Sequence, residues 1–277
     1  MKPGLAAQVL IYDDMQYVDL MLENVLKHCD HVLFLVNKHP LNTKPGIVYN
    51  NEHIIKALKE RQQEEPKIHI EWRDWTTEEE TRNFGLQLAL QLNCEFSLIV
   101  DTDEVYDSAS LFRLKNVLQE NEANNLGFHI MHTSWKTYWK KDDGPLCVIT
   151  PPEGFTPVVL VRNKNASFTH LRHCMPVENG QFIKDQNRGR IRFPDGFLDL
   201  HHFSYARSDE FIRRKCEESG HSQNGDLMKG WFENVWMKWS VGMKNIHPIN
   251  PVQYLEAVPV KVEELPMNSL RCFFSGI

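Results

Sequence analysis

Two carboxylates one residue apart, Asp101 and Asp103, follow directly on the apolar run Phe96–Val100, with Thr102 between them and Glu104 after them. On an extended backbone residues i and i+2 point the same way, so this pair can present two hard oxygen ligands to one site. Such ligands suit Mg²⁺ or Mn²⁺, and an ion held there can bridge the phosphates of a nucleotide. A D-x-D triplet alone is weak evidence, because strand-end turns often carry solvated carboxylates. Its place after a buried strand raises it, since ligands of open α/β sheets bind beyond the carboxyl ends of the strands.

The strand comes from an alternating pattern. Apolar runs at 7–12, 31–38 and 96–100 and an alternating run at 67–72 read as strands; stretches at 18–28, 51–64, 77–92 and 108–121 read as helices. Glu78, Glu79 and Glu80 fall in the first turn of the third helix, behind Thr76 or Thr77 as N-cap. Strand–helix alternation predicts an α/β fold with a mainly parallel sheet. After residue 121 the rhythm changes to strands at 126–135, 145–150 and 157–163, a mixed or antiparallel extension, then a loop over 176–200 and a helix at 208–218. A domain over 1–205 with a helical extension over 206–277 packed on it is the expected organisation.

At this point the sequence resembles a known family. Glu80-Thr81-Arg82-Asn83-Phe84-Gly85-Leu86-Gln87-Leu88-Ala89, followed by Ser97-Leu98-Ile99-Val100-Asp101-Thr102-Asp103-Glu104, is similar to the paired blocks of family 2 glycosyltransferases, in particular the branch that decorates lipopolysaccharide cores. The resemblance covers about the first 110 residues in order, and more loosely the segment around His201. It implies a GT-A-type nucleotide-sugar-binding fold and a metal-dependent, inverting sugar transfer from a nucleotide-sugar, with a UDP-sugar favoured. It places Asp101 and Asp103 at the metal, Thr102 and Arg82 at the donor, and His201 or His202 as a further metal ligand that shifts preference towards Mn²⁺. The loop after the first strand contacts the nucleobase in that family; here it holds Tyr12, Asp13, Asp14 and Met15, which departs from the usual Asn-Glu pair. Asp74, after the third strand, is a second candidate for the base. Arg207 and Lys215, with Arg213 and Arg214 nearby, are candidates for the diphosphate.

An inverting transfer needs a carboxylate beside the acceptor hydroxyl. Glu153, Glu178, Asp185 and Asp195 all lie in the loop-rich half, and the residues themselves do not choose among them. Trp135, Tyr138 and Trp139 could stack on a sugar or base, or simply pack in a core. The acceptor stays open between a saccharide and a hydroxymethylated base in phage DNA. The second reading rests on the basic loop Lys184–Arg192, with Lys184, Arg188 and Arg190, which could follow a phosphate backbone.

The bulk numbers fit an enzyme of one large domain: 277 residues, 42% apolar and 25% charged, with a net charge of -6 that offers no global attraction to nucleic acid. No signal-peptide or membrane-spanning pattern is visible, so a cytoplasmic protein with no membrane span is expected. Six scattered cysteines without a CxxC pair read as free thiols. His170, His173 and Cys174 could hold zinc only with a fourth ligand that is not evident. P-loop, G-x-S-x-G and H-E-x-x-H patterns are absent. A nucleotidyltransferase and a non-catalytic carbohydrate- or nucleic-acid-binding protein are the competing readings.

Overall fold

The computed structural model describes residues 3–12, 14–38, 41, 51–185, 187–218, 228 and 230–275. In chain order the first elements are β1 (Gly4–Ile11), α1 (Val18–His28), β2 (His31–Asn37), α2 (Glu52–Glu64), β3 (Ile68–Arg73), α3 (Glu78–Gln91), β4 (Cys94–Asp101), β5 (Glu104–Tyr106) and α4 (Ser108–Asn124). Then follow β6 (Ile130–His132), β7 (Trp135–Lys140), β8 (Cys147–Thr150), β9 (Val158–Arg162), β10 (Ala166–His170), β11 (His173–Glu178), β12 (Gln181–Phe182) and β13 (Arg190–Arg192). The chain closes with β14 (Leu200–Ala206), α5 (Asp209–Glu218), β15 (Glu256–Pro259) and a last helix, Asn268–Ser275.

These elements fall into two compact units, the first drawn from Met1–Leu41, Val48–Thr133 and Thr156–Asp199, the second from Ser134–Phe155 and Leu200–Ile277. The first unit is α/β, as the strand–helix rhythm predicts. Its seven-stranded sheet runs β13-β6-β9-β4-β1-β2-β3. β4, β1, β2 and β3 are mutually parallel, whereas β9 lies antiparallel to both β4 and β6. The central strands are buried on both faces, which is why they read as unbroken apolar runs. The region expected as loop over 176–200 holds two short strands, β12 and β13, too brief to leave a periodic signal.

The third helix begins as its sequence requires. Thr77 is the N-cap and its side chain accepts from Glu80 N, while Thr76 N and Oγ1 both donate to the Glu80 carboxylate. Gly85 lets this helix lie against the sheet: a Cβ there would stand 2.0 Å from Gln8 Nε2 and 2.8 Å from Leu35 Cδ1. The close approach allows buried Gln8 to donate to the Arg82 carbonyl at 2.8 Å, which fixes the turn that carries Arg82.

In the second unit the strands run β15-β8-β7-β14, with β7 and β14 parallel. Its core is aromatic: Trp139, Trp231, Trp236 and Trp239 pack with Tyr205, Tyr254 and Ile212. Trp139 is fully buried among them, so it packs in a core rather than offering a face to a ligand. Among the described residues no helix is long and apolar enough to cross a membrane.

Candidate functional site

The topology of the first unit creates a crevice. From β1 the chain moves to β2 and β3 on one side, then returns through α3 to β4 on the other side of β1. Leu10 of β1 stands level with Asp101 of β4, so the two carboxyl ends diverge from the same height. Such a switch point is where open α/β sheets bind ligands. The segments that follow these two strands start at Tyr12 and, just past Asp101, at Thr102. Asp13 lies outside the described residues. Asp14 Oδ1 accepts from Gln16 N at 2.9 Å and so shapes the entry to α1.

Behind the crevice runs a chain of alternating charges. Tyr12 donates through its hydroxyl to Glu78 Oε2 at 2.7 Å. Glu78 Oε1 accepts from Arg82 Nε at 2.7 Å, and Arg82 Nη2 donates to Asp101 Oδ1 at 3.1 Å. Asp101 Oδ2 takes Arg172 Nη1 at 3.1 Å, and the same nitrogen donates to Glu104 Oε1. Glu104 Oε2 in turn accepts from Asp101 N at 2.9 Å. Arg172 is anchored further by the carbonyls of Ile99 and Val158, at 3.0 and 2.9 Å.

Arg82, Glu104 and Arg172 are all buried. Charges at that depth persist only when paired and hydrogen-bonded, which this network achieves. Burial pushes the Glu104 carboxyl upward, opposed by the Arg172 guanidinium and reinforced by Asp101. Burial, with the Glu78 carboxylate beside it, keeps the Tyr12 phenol well above its usual range.

Thus Asp101 is held between two arginines, and Thr102 is buried. Asp103 is half-buried one residue beyond Thr102. Arg82, expected at the donor, is buried behind Asp101 and meets protein carboxylates with two of its three nitrogens. Asp74 is exposed after the edge strand β3. The loop that carries it is pinned by Asn37, which bonds Trp75 N at 2.7 Å and Trp75 O at 2.9 Å. Asn51 ties the ends of β1 and β2 by donating to Tyr12 O at 2.8 Å and Asn37 O at 3.1 Å. Asp107, N-cap of α4, and Asp199 bring carboxylate oxygens within 4.8 Å of one another.

Arg172 carries as many contacts to the D-x-D segment as Arg82 does, yet nothing in its spacing marks it. It sits in the two-residue turn between β10 and β11, where Leu171 adopts φ 45° and His170 pairs with His173. That hairpin delivers Arg172 to Asp101 across more than seventy residues of sequence. In the same hairpin Cys174 is fully buried while His170 and His173 are exposed, so the three do not converge.

In the second unit the adjacent histidines face opposite ways, as neighbours on a strand must. His201 is buried with Nδ1 2.9 Å from the Tyr138 hydroxyl. His202 stacks on Trp135, ring centroids 4.5 Å apart, and its Nδ1 lies 3.4 Å from Thr137 Oγ1. Thr137 Oγ1 donates to Glu153 at 2.6 Å, and Tyr254 donates to the same oxygen at 3.5 Å. Burial raises the Glu153 carboxyl, which those two hydroxyls partly offset. Arg207 is buried over the Phe211 ring at 4.7 Å, and Lys215 donates to Ser204 Oγ and lies 4.8 Å over the Tyr205 ring.

The remaining acceptor and base candidates are spread over the surface of the first unit. Lys184, Asp185, Arg188 and Asp195 are exposed. Arg188 pairs with Glu178 at 3.3 Å, and Arg192 with Asp195 at 3.4 Å. Asp185 Oδ1 accepts from Asn187 N at 3.0 Å, closing a turn. Arg190 donates to the Cys174 carbonyl and reaches His132 Nε2 at 3.2 Å. Two cations of this loop, Arg188 and Arg192, thus meet nearby carboxylates.

No protein-family model matches the chain, and no curated protein does. Solved structures give distant likenesses. Residues 1-349 of TarS from S. aureus match at 13% identity over 86% of this chain and 72% of that one, TM-score 0.40. GalNAc-T7, solved with UDP, GalNAc and Mn²⁺, matches at 8% identity over 85% of this chain and 50% of that one, TM-score 0.45. The 4-diphosphocytidyl-2C-methyl-D-erythritol synthase of Anaerococcus prevotii matches at 16% identity over 59% of this chain and 73% of that one, TM-score 0.36. At these identities and TM-scores nothing about the chemistry of this chain follows from them.

Proposed function

We propose that the chain is a glycosyltransferase that binds a nucleotide-sugar, UDP-linked by preference, at the switch-point crevice of its first unit. The observation that carries this reading is the Asp101–Glu104 segment at the carboxyl end of β4, level with the end of β1. The donor set suits a hard divalent cation, Mn²⁺ or Mg²⁺. Asp101 and Asp103 are the residues proposed to hold it, with the Asp101 carboxylate oriented by one arginine on each oxygen. When bound, the ion supplies positive charge to the leaving nucleoside diphosphate.

The protein's own part is preorganisation. Arg82 and Arg172 fix the Asp101 carboxylate from behind, and Glu104 fixes the Asp101 backbone amide, so the turn bearing Asp103 needs no rearrangement when donor arrives. The Tyr12 and Asp14 segment faces the base side of the crevice, with Asp74 a further candidate. Arg207 and Lys215 are proposed for the diphosphate, and His201 or His202 as an additional metal ligand. Trp135 is proposed for the acceptor together with Lys184, Arg188 and Arg190. The acceptor is a saccharide or a hydroxymethylated base in DNA, and the base catalyst of an inverting transfer is Asp185, Asp195 or Glu178. We place the protein in the cytoplasm.

Substitution at Asp103 tests the assignment. Asp103→Ala is expected to abolish Mn²⁺-dependent release of UDP from a UDP-sugar while far-UV circular dichroism shows the fold retained. Full turnover by a folded Asp103→Ala protein removes the metal role. Release of pyrophosphate from a nucleoside triphosphate, with no use of any sugar nucleotide, makes the chain a nucleotidyltransferase instead.

A further inference from the structure

At the opposite end of the same sheet, two histidines meet on neighbouring strands. His31 opens β2 and His69 is the second residue of β3, the edge strand. Leu33 is the register partner of His69, and His31 lies two residues before Leu33, so both imidazoles stand on one face of the sheet. Their rings are 4.9 Å apart at 60°, with His31 Nδ1 only 2.9 Å from His69 Nε2. Both side chains are half-buried, so the pair is held by its strands yet reachable from solvent.

Two nitrogens at this separation share one N–H in the absence of a cation. They also match a chelate. Two imidazole nitrogens each about 2.0 Å from a common ion are ~2.9 Å apart at the right angle of a tetragonal site, and ~3.3 Å apart at a tetrahedral one. Neutral imidazole is the ligand form, and desolvation by burial, with His31 next, lowers the His69 pKa and favours that form. Moving the shared proton to an outward-facing ring nitrogen frees both lone pairs without net proton loss. Glu71, two residues on along the same face of β3, adds negative charge beside His69; its Oε2 accepts from Arg73 Nε at 2.8 Å. Solvent completes the coordination.

We propose that His31 and His69 form a surface site for a tetragonal divalent transition-metal cation of the Cu²⁺ or Ni²⁺ class. It is separate from the carboxylate crevice in place and chemistry: nitrogen ligands at the amino ends of the strands, against oxygen ligands at their carboxyl ends.

The test uses the whole chain with Ni²⁺ and Cu²⁺ as probes and needs no turnover. Calorimetric titration with Ni²⁺ is expected to show one site that His31→Gln and His69→Gln each weaken by well over tenfold, since even loss of an outer-shell partner typically costs about 10–100-fold. Glutamine retains an amide for the partner ring, and far-UV circular dichroism checks that each variant folds. A measurement on the unaltered protein supports these: substoichiometric Cu²⁺ should broaden the ring resonances of His31 and His69 before those of the other eleven histidines (13 in the chain). Equal Ni²⁺ affinity in both folded variants, or first broadening at other histidines, overturns the proposal.

Discussion

At the residue scale the D-x-D segment is held in place through Asp101. Asp101 and Asp103 look equivalent in sequence, but Asp101 is clamped between Arg82 and Arg172 at 3.1 Å each. Removing a partner from such a buried network leaves charge unmatched, which costs about 3–5 kcal/mol. Arg172→Met is therefore expected to lower the thermal midpoint strongly, because Asp101 and Glu104 lose their shared cation. Asp103→Asn, a near-isosteric change at a half-buried position, should lower it less. Similar midpoints for these two variants would contradict the assignment. Asp101, Asp103 and Arg82 were legible as a constellation because strand, helix and triplet lie within about twenty residues of sequence. Arg172 was not legible: its contact with Asp101 spans 71 residues and depends on a hairpin that no strand pattern in the sequence announces. Nor did the sequence say that Arg82 would be buried, since three glutamates around it suggest an exposed helix face.

At the scale of elements, the site depends on how closely α3 approaches the sheet. Gly85 permits that approach, and the Gln8–Arg82 bond exploits it. Gly85→Ala inserts a methyl into Gln8 and Leu35, and overpacking of this kind costs about 1–3 kcal/mol. The helix must shift, so the donor KM should rise along with the loss of stability. A Gly85→Ala protein with unchanged melting and unchanged KM would show that α3 has more room than the contacts allow. Thr77→Ala removes the N-cap alone and should cost about 1 kcal/mol with little effect on donor binding. The helix start was readable because capping chemistry is local. The short strands β12 and β13 were not, because two or three residues cannot express a period of two.

At the scale of the whole molecule, the α/β class and the mainly parallel sheet follow from the alternation of apolar strands with amphipathic helices, and the structure has both. The division into units was not readable in the same way. The second unit takes Ser134–Phe155 from the middle of the chain and joins it to the segment from Leu200 onward, a discontinuity that no composition shift announces. Its pH behaviour provides a test. Burial raises the folded-state pKa of Glu153, so the folded protein holds that proton to higher pH than the unfolded chain. Stability from this group is present in full below the unfolded value and falls as pH rises through the folded one. Glu153→Gln keeps an acceptor for Thr137 without the charge. Its stability relative to wild type should therefore grow from acid to neutral pH, as read by urea midpoints. A difference that stays constant with pH would mean that Glu153 is not held in a raised state.

Donor binding and turnover with the purified chain test the proposed sugar transfer directly. UDP-, GDP-, CMP- and dTDP-linked sugars should be tried with Mn²⁺ and with EDTA, reading thermal shift and release of free nucleotide. One donor, UDP-linked, is expected to raise the melting temperature only with metal and to release its nucleotide slowly, and Asp103→Ala is expected to lose both effects. Stabilisation by no nucleotide-sugar, with or without metal, would contradict the proposed transfer.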